Sequence, residues 1–274
     1  MSPLLPNETL LGREVEYPRA YDRKLLFPIE RATNRQGLER PGDWYGADIW
    51  NAYEVSWLNA RGLPQVALAR FIVPADSPRL IESKSFKLYL NSLNEERYER
   101  AEDVVALLKA DLSEAAGAAV NVWLESDLSA LEVRCAPLPG TCLDKLDITI
   151  DRYEPDPALL QRMPGNEQVS ETLVSNLLKS NCPVTGQPDW GSVQVSYTGP
   201  RINHESLLKY IVSFRRHTEF HEHCVERMYC DLWEVLEPQS LFVMARYTRR
   251  GGLDINPWRS SHPVDVADLR TPRQ

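Results

Sequence analysis

At 274 residues, with 43% hydrophobic and 26% charged residues, the chain has the composition of a globular protein with room for one large domain or two of roughly 100 to 150 residues. Its 39 acidic side chains outnumber 31 basic ones, and the net charge of −8 argues against a wide basic surface for nucleic acid. No apolar run approaches the ~20 residues that span a bilayer, and five cysteines do not form a dense disulfide framework, so we expect a cytoplasmic protein with free thiols and no membrane partner.

The first half of the chain predicts an arm followed by strands and one helix. Residues 1–45 are rich in proline, glycine and charge, which favours an extended arm or loop. Alternating polarity predicts strands, and apolar residues at three- and four-residue spacing predict a helix that ends at Gly117. In chain order, the predicted elements are strands at 48–58, 65–74 and 85–93, a helix within 94–119, and a strand at 119–126.

The second half repeats a similar order. The predicted elements are strands at 191–199 and 206–216, a helix at 218–236 and a strand at 241–248. Thr218 is the expected N-cap of this helix, and Pro238 follows its expected end.

Residue matches between the halves indicate an internal duplication. With an offset of 121 residues, the matched pairs are Ser85 and Ser206, Tyr89 and Tyr210, and Ser92 and Ser213. After a slip of one residue, Ala60 occupies the position that Cys182 has in the second half. We therefore expect two modules, of which only the second carries this thiol, and one site built from both.

The stretch "SNCPVTGQPDW" contains the first candidate site. Cys182 lies in a polar, turn-rich segment, whereas a cysteine used only for packing is more typical of an apolar strand face. Asp189 follows seven residues later, so the loop predicts either a metal site or a nucleophile with an acid beside it. Cys224 and Cys230, on the predicted helix, are assigned to packing.

The stretch "HTEFHEHC" contains the second candidate site. His217 and His221 have the four-residue spacing of some zinc ligands, although His217 precedes the expected helix. Phe220, His221 and Glu222 could instead offer a ligand a ring, a proton donor and a carboxylate supported by the helix dipole.

Two further stretches carry charge beside an aromatic residue or glycines. If "ESKSFKLY" is a strand, Glu82, Lys84 and Phe86 share one face, which suggests a strand end that opens into a pocket. In "TRRGGLDINP", the paired arginines before two glycines could bind a phosphate group.

Together, "ESKSFKLY", "NCPVTGQPDW", "EFHEHC" and "RRGGLDI" resemble the motifs of the NADPH-dependent 7-cyano-7-deazaguanine reductases, the nitrile reductases of queuosine biosynthesis, in their long two-module form. The resemblance extends from about residue 45 onward. It implies an α+β protein of two tandem tunnelling-fold modules, in which antiparallel sheets are backed by helices. We accordingly divide the chain into an arm at 1–45 and modules at 46–150 and 151–274, and expect a homodimer or higher homo-oligomer.

The resemblance also implies the chemistry. Cys182 matches the family's nucleophile, which adds to the nitrile to give a thioimide, Asp189 matches the proton-transfer residue, and His221 assists. Nitrile to amine is a four-electron change, so two NADPH are expected per turnover. The implied substrate-binding residues are Ile81, Glu82, Ser83, Phe220, His221 and Glu222. The implied NADPH-binding residues are Ser83, Lys84, Arg250 and Gly251, without a Rossmann glycine motif.

Two alternatives remain open. Pterin-making cyclohydrolases share the tunnelling fold and bind zinc through cysteine and histidine, so Cys182 with His221 or His223 could be metal ligands for a ring-opening hydrolysis. A non-catalytic purine-binding module would keep the glutamates and leave the thiol unused. Asp189 beside the thiol favours the reductase, and we expect no metal.

Overall fold

The computed structural model describes residues 18–39, 42–131, 134–165, 167–267 and 269–274. Its strands are β1 (Pro28–Glu30), β2 (Tyr45–Leu58), β3 (Pro64–Pro74), β4 (Arg79–Ile81), β5 (Asn121–Glu125), β6 (Thr141–Cys142), β7 (Gln168–Asn181), β8 (Pro188–Pro200), β9 (Ser240–Tyr247) and β10 (Leu253–Ser260). Its α-helices are α1 (Arg31–Asn34), α2 (Ser83–Asn91), α3 (Ala101–Ala116), α4 (His204–Ser213) and α5 (His221–Leu236).

Eight strands form one sheet in the order β5-β3-β2-β10-β9-β8-β7-β6. Every neighbouring pair is antiparallel except β6 and β7, and β1 pairs with β4 in a separate small sheet. The pairing of β10 with β2 joins the strands of the two halves of the chain. The prediction of an α+β protein with antiparallel strands and helices is confirmed.

Two hydrophobic cores lie between this sheet and the helices. Alternate residues of β3, including Phe71 and Val73, are buried together with residues of α2 and α3. In the second half, Val193 and Val195 of β8 are buried in the same way with residues of α4 and α5. Cys224 and Cys230 belong to this second core, which confirms their assignment to packing.

Two segments that were predicted to be strands, 85–93 and 206–216, are helices. Residues 85–93 belong mostly to α2 and residues 206–216 mostly to α4. Their apolar residues satisfy both periodicities, since Phe86, Leu88 and Leu90 alternate while Phe86, Tyr89 and Leu90 share a buried helix face. The N-caps favour the helix over the strand. The Glu82 and Asn203 side chains accept hydrogen bonds from first-turn amides of α2 and α4.

The same side-chain hydrogen bonds recur in the two halves at the matched serines and tyrosines. Ser85 Oγ donates to the Glu82 carbonyl at 2.7 Å, and 121 residues later Ser206 Oγ donates to the Asn203 carbonyl at 2.7 Å. The hydroxyls of the paired tyrosines both donate to a helix aspartate, in the pairs Tyr89 with Asp111 and Tyr210 with Asp231. The sequence echoes therefore correspond to repeated local structure.

Three other predictions need correction. Residues 1–17 lie outside the described ranges, but the rest of the predicted arm contains a 3-10 turn at Arg23–Leu25 as well as β1 and α1. The second-half helix begins at His221 after Phe220 rather than at a Thr218 cap, since the 217–219 segment pairs with the Cys182 loop instead. β7 and β10 were not predicted. Within the described ranges, none of the helices has the length and apolarity needed to cross a bilayer.

A cluster of buried charges connects the arm, both central strands and α5. The Arg259 guanidinium, fully buried, is 2.9 Å from Asp48 and 2.7 Å from Glu226. From α1, Arg31 contacts Asp48 at 2.5 Å, and Arg35 contacts Glu226 at 2.7 Å. Asp48 and Glu226 each contact Arg259 and an arginine of the arm, so removal of Arg259 takes one buried cationic partner from each carboxylate.

We expect Arg259→Met to lower the free energy of unfolding by about 3 to 5 kcal/mol, since it leaves Asp48 and Glu226 short of a partner in a dry environment. Arg23→Met is the matched control, because Arg23 pairs with Glu114 at the exposed surface and its loss should cost under about 1 kcal/mol. Urea unfolding measures both. Equal losses for the two variants would contradict this description of the cluster.

Candidate active site

Cys182 begins the loop that connects β7 to β8. Its amide donates to the Gln187 carbonyl at 2.9 Å, its carbonyl accepts from the Gly186 amide at 3.0 Å, and Gly186 has a positive φ of 66° that suits glycine. The preceding residue, Asn181, is held by backbone hydrogen bonds to His217 and Glu219. The thiol is thus on a closed turn, buried at 8% exposure.

Asp189 is the second residue of β8 and is buried next to His221 and Arg250. Its Oδ2 is 3.6 Å from His221 Nε2, and its Oδ1 is 3.2 Å from Arg250 Nη2. Burial raises the pKa of this carboxyl, but His221, Arg250 and Lys87 together outweigh burial and hold the pKa below its usual value. Asp189 is therefore ionised near neutral pH and can accept a proton.

His221 is the first residue of α5 and faces the same carboxylate. Its ring meets the ring of Tyr247 edge-on, with the centroids 4.0 Å apart. This contact and the separation of 3.6 Å from Asp189 fix the imidazole over the carboxylate, in reach of a group held between them.

Residues from both halves of the chain line one narrow cleft. The first half supplies Trp50, Ile81 and Ser83, and the second half supplies the residues Cys182, Pro183, Asp189, Glu219, Phe220, His221, Glu222, Arg250 and Ile255. The cleft has a volume of about 10 Å³, which is smaller than a deazapurine, so a bound ring would have to widen it. A larger cavity, of about 600 Å³, lies elsewhere, and none of the sequence-predicted site residues line it.

Glu82 has a different local role from the one predicted for a strand. It is the N-cap of α2, where its two carboxylate oxygens accept from the amides of Lys84 at 2.8 Å and Ser85 at 2.7 Å. Burial raises the pKa of Glu82 although these amides oppose the shift. Each oxygen retains a lone pair, so the carboxylate can still accept from a ligand.

Glu222 is another buried carboxyl group, one residue after His221. Burial, and then repulsion by the nearby Asp48 carboxylate, raise the pKa of Glu222 to about 7, although His221 and Arg31 act in the opposite direction. Asp189 and Glu222 therefore line one cleft with pKa values shifted in opposite directions.

Of the four residues predicted to bind NADPH, Ser83 and Arg250 line the cleft, and Lys84 and Gly251 follow them in the sequence. Ser83 and Lys84 form the first turn of α2, and Arg250 precedes Gly251 and Gly252, which have positive φ values of 60° and 77°. A side chain at Gly251 would come 3.2 Å from Lys87 Cδ. The positive charges of Lys84 and Arg250, and a turn whose two glycines have no side chains, are compatible with binding of a phosphate-bearing dinucleotide.

Lys87 is a candidate that the sequence prediction missed. On α2 it lies one turn after Ser83, and its charge interacts with Cys182, Asp189, Glu82 and Arg250. Burial and then Arg250 lower the pKa of Lys87. The sequence does contain this residue, as the second lysine of "ESKSFKLY". Its proximity to Cys182 and Asp189 can be recognised only if the segment is a helix.

His217, Glu219 and Cys224 place three possible metal-donor atoms within 4.8 Å of one another. The Glu219 carboxylate, however, already accepts hydrogen bonds from His217, His223 and Arg227. Burial raises the pKa of the Cys224 thiol, which keeps it protonated. Glu219 is therefore already engaged with three side chains, and Cys182 does not belong to this donor group.

Comparison with known proteins gives the family. Residues 17–124 match the family model "Nitrile reductase, 7-cyano-7-deazaguanine-reductase N-term", and residues 188–265 match "QueF-like protein". A relative from Bordetella pertussis named NADPH-dependent 7-cyano-7-deazaguanine reductase is 57% identical over 267 residues, which cover 96% of this chain and 97% of the relative. This chain belongs to that reductase family.

Members with the same name occur in other bacteria. The reductase of Burkholderia vietnamiensis is 53% identical over 272 residues, covering 98% of this chain and 99% of the relative. A crystal structure of the archaeosine synthase QueF-Like in the apo form covers 38% of this chain and 100% of that chain at 19% identity, but its TM-score of 0.30 is too low to bear on the fold.

The raised pKa of Glu222 predicts a pH dependence of stability. Between the ordinary value of 4.5 and about 7, the unfolded chain has released this proton while the folded protein still holds it. The stabilisation is therefore complete below pH 4.5 and is lost as pH rises through 7. Relative to Glu222→Gln, we expect the free energy of unfolding of the wild type to fall by roughly 2 to 3 kcal/mol over this range.

Urea unfolding at a series of pH values measures this difference. Glu102→Gln is the control, because Glu102 is exposed on α3 and the same substitution there should change the pH dependence far less. A wild-type minus Glu222→Gln difference that stays constant from pH 4.5 to 8 would contradict the assignment.

Proposed function

We propose that this chain reduces the nitrile of 7-cyano-7-deazaguanine to a primary amine, with NADPH as reductant, through a covalent thioimide on Cys182. The proposal rests on one observation: the thiol and the ionised Asp189 line the same cleft as His221 and Glu222. The chain's membership of the reductase family supports the substrate, the cofactor and the oxidoreductase class. The product, 7-aminomethyl-7-deazaguanine, is an intermediate of queuosine biosynthesis and thus of tRNA modification.

Thiol addition needs a base first. An unperturbed thiol is only a few per cent ionised at pH 7, so Asp189 accepts the proton of Cys182 as the sulfur attacks the nitrile carbon. The same carboxyl then gives this proton to the nitrile nitrogen. One C–S bond forms, one C–N π bond is lost, and no proton is taken from solvent in this step.

The two reductions need an acid instead. When bound, NADPH supplies a hydride for each reduction, and two are required because the change involves four electrons. His221 and Asp189 deliver one proton to nitrogen in each reduction, and after the first, Cys182 leaves as the thiolate so that the C–S bond breaks. The resulting imine stays in the cleft for the second reduction.

Substrate recognition falls to the two buried glutamates. The guanine-like edge presents adjacent N–H donors, which Glu82 and Glu222 accept, and Phe220 stacks on the ring with Ile81, Ser83 and His221 around it. Because the pKa of Glu222 is raised to about 7, binding of these donors favours its ionised form. Ser83, Lys84, Arg250 and Gly251 bind the cofactor, and the positive charges of Lys84 and Arg250 suit a 2′-phosphate.

The wider proposal concerns architecture and context. The recurrence of serine and tyrosine hydrogen bonds supports two tandem tunnelling-fold modules at 46–150 and 151–274 after an arm at 1–45. β6 precedes residue 150 yet pairs with β7, so the last part of the first module contributes to the second-half sheet. A homodimer or higher homo-oligomer in the cytoplasm completes the proposal.

The zinc cyclohydrolase alternative finds less support in the donor geometry. Among the described residues, the metal-donor atoms that converge within 4.8 Å belong to His217, Glu219 and Cys224, and this group contains neither Cys182 nor His221 nor His223. A purine-binding module without chemistry would not need an ionised carboxylate beside a thiol. Both alternatives predict no covalent species with the nitrile.

Substrate added without NADPH should therefore leave an adduct on the protein, with a mass increase equal to the whole nitrile, since addition loses no atoms. Cys182→Ala should abolish the adduct. Cys224→Ala and Cys230→Ala are matched controls that should retain it, because both thiols are buried in the second core. Intact-mass spectrometry reads the result, and an adduct that persists in Cys182→Ala would refute the proposal.

A second experiment tests whether the first half contributes to substrate binding. Glu82→Ala and Asn203→Ala each delete the N-cap of an equivalent helix, so each should cost about 1 kcal/mol of stability. Only Glu82→Ala should also weaken nitrile binding, by roughly 1 to 3 kcal/mol, because it leaves substrate donors unpaired. Calorimetric titration in a Cys182→Ala background isolates binding, and equal affinities in the two variants would exclude Glu82 from the pocket.

A further inference from the structure

Arg250 connects the nucleophile loop to the glycine turn that follows β9. Its Nη2 is 3.2 Å from Asp189 Oδ1, and its Nη1 donates to Gln187 Oε1 at 2.8 Å. The Gln187 carbonyl in turn accepts from the Cys182 amide at 2.9 Å. One guanidinium therefore contacts both the acid–base carboxylate and the turn that carries the thiol.

The Arg250 guanidinium contacts the Asp189 carboxylate and is also partly exposed to solvent. The Arg250 side chain is 31% exposed, whereas the Asp189 side chain is only 5% exposed. Gly251 and Gly252 follow with no side chains to obstruct an approaching anion. Arg250 can thus reach an anion outside the cleft, while Asp189 cannot leave it.

The proton requirements of the reaction change while Asp189 stays in place. This inference rests on the proposed function. In that reaction, thiol addition needs Asp189 as a base, and each later hydride transfer needs a proton donor at the same nitrogen. Thiol addition leaves Asp189 ionised and each reduction consumes one proton, so Asp189 has to be reprotonated from solvent before each reduction. A fixed cation in contact with the carboxylate favours the first step and opposes the others.

We propose that Arg250 is a positioning residue that exchanges partners during the cycle: it pairs with Asp189 before the dinucleotide binds and with an anionic phosphate group of the bound dinucleotide afterwards. Asp189 then acts as a base during thiol addition and as an acid during reduction. Binding of the reductant itself makes the proton available.

Other titratable groups also face Asp189, and they limit how far its pKa can move. These are His221 from α5, Lys87 from α2, Lys179 from β7, Tyr247 from β9 and the Cys182 thiol. Of the cations, Arg250 combines direct contact with a solvent-facing side, so it is the one that an incoming anion can draw away.

The test is the pH dependence of adduct formation at saturating nitrile without NADPH, followed by intact mass in rapid-quench samples. The acid limb of the rate reports the ionisation of Asp189, and Asp189→Asn should lack that limb. Arg250→Gln removes a cation that stabilises the carboxylate, so we expect the midpoint of the limb to move up by about one pH unit or more. Loss of the Gln187 contact alone would change the plateau rate and not the midpoint.

The exchange itself is tested with NADP⁺, which binds without reducing the adduct. Saturating NADP⁺ should raise the midpoint of the acid limb in the wild type. It should also raise this midpoint in Lys84→Gln, at an NADP⁺ concentration that saturates the variant. In Arg250→Gln the midpoint should stay unchanged. Arg250→Gln with a wild-type midpoint, or a wild-type midpoint that NADP⁺ does not move, would overturn the inference. Absence of any adduct in the wild type would instead refute the proposed function, so the two failures are distinguishable.

Discussion

The pairing of β10 with β2 is the interaction on which the rest of the structure depends. Eight consecutive residue pairs, from Leu253 with Ala52 to Ser260 with Tyr45, join the strands of both halves into one sheet. Buried polar contacts reinforce this seam, because Arg259 of β10 contacts Asp48 of β2 and Asn51 contacts Asp254. Without this seam, the helix start at Ser83 and the loop at Cys182 would not share a cleft.

Burial along the seam also determines the charges in the site. Asp189 has cations on several sides, so its pKa falls despite burial, while Glu222 lies near the Asp48 carboxylate and its pKa rises. Carboxyl groups in contrasting environments can divide acid–base and binding roles between them at one pH. The arm takes part in this arrangement, because Arg31 pairs with the Asp48 that acts on Glu222.

Local sequence predicted the Cys182 loop better than it predicted the topology that places this loop. The Cys182 loop was predictable because proline, glycine and polar residues signal a turn whatever the surroundings are. α2 was not, since Phe86, Leu88 and Leu90 fit a strand as well as a helix, and only the Glu82 cap and packing against β2 and β3 favour the helix.

The strand β10 was unpredictable for a related reason. Its segment contains Pro257 and the polar residues Asp254 and Arg259, which suggest a loop. These side chains are buried because the segment contacts β2, β9 and α5, which supply hydrogen-bond and strand-pairing partners. Those partners are distant in sequence, so the local sequence gives no sign of them. The missed role of Lys87 follows from the same limitation, since its position depends on α2 being a helix that faces Gly251.

The most direct test of a single catalytic cleft built from both halves is a crystal structure of the protein soaked with the nitrile substrate in the absence of NADPH. We expect continuous electron density between Cys182 Sγ and the former nitrile carbon, with the N–H edge of the pyrimidine ring within hydrogen-bond distance of Glu222 and Glu82. A nitrile bound without a bond to sulfur, or a ring whose N–H edge contacts neither glutamate, would contradict it.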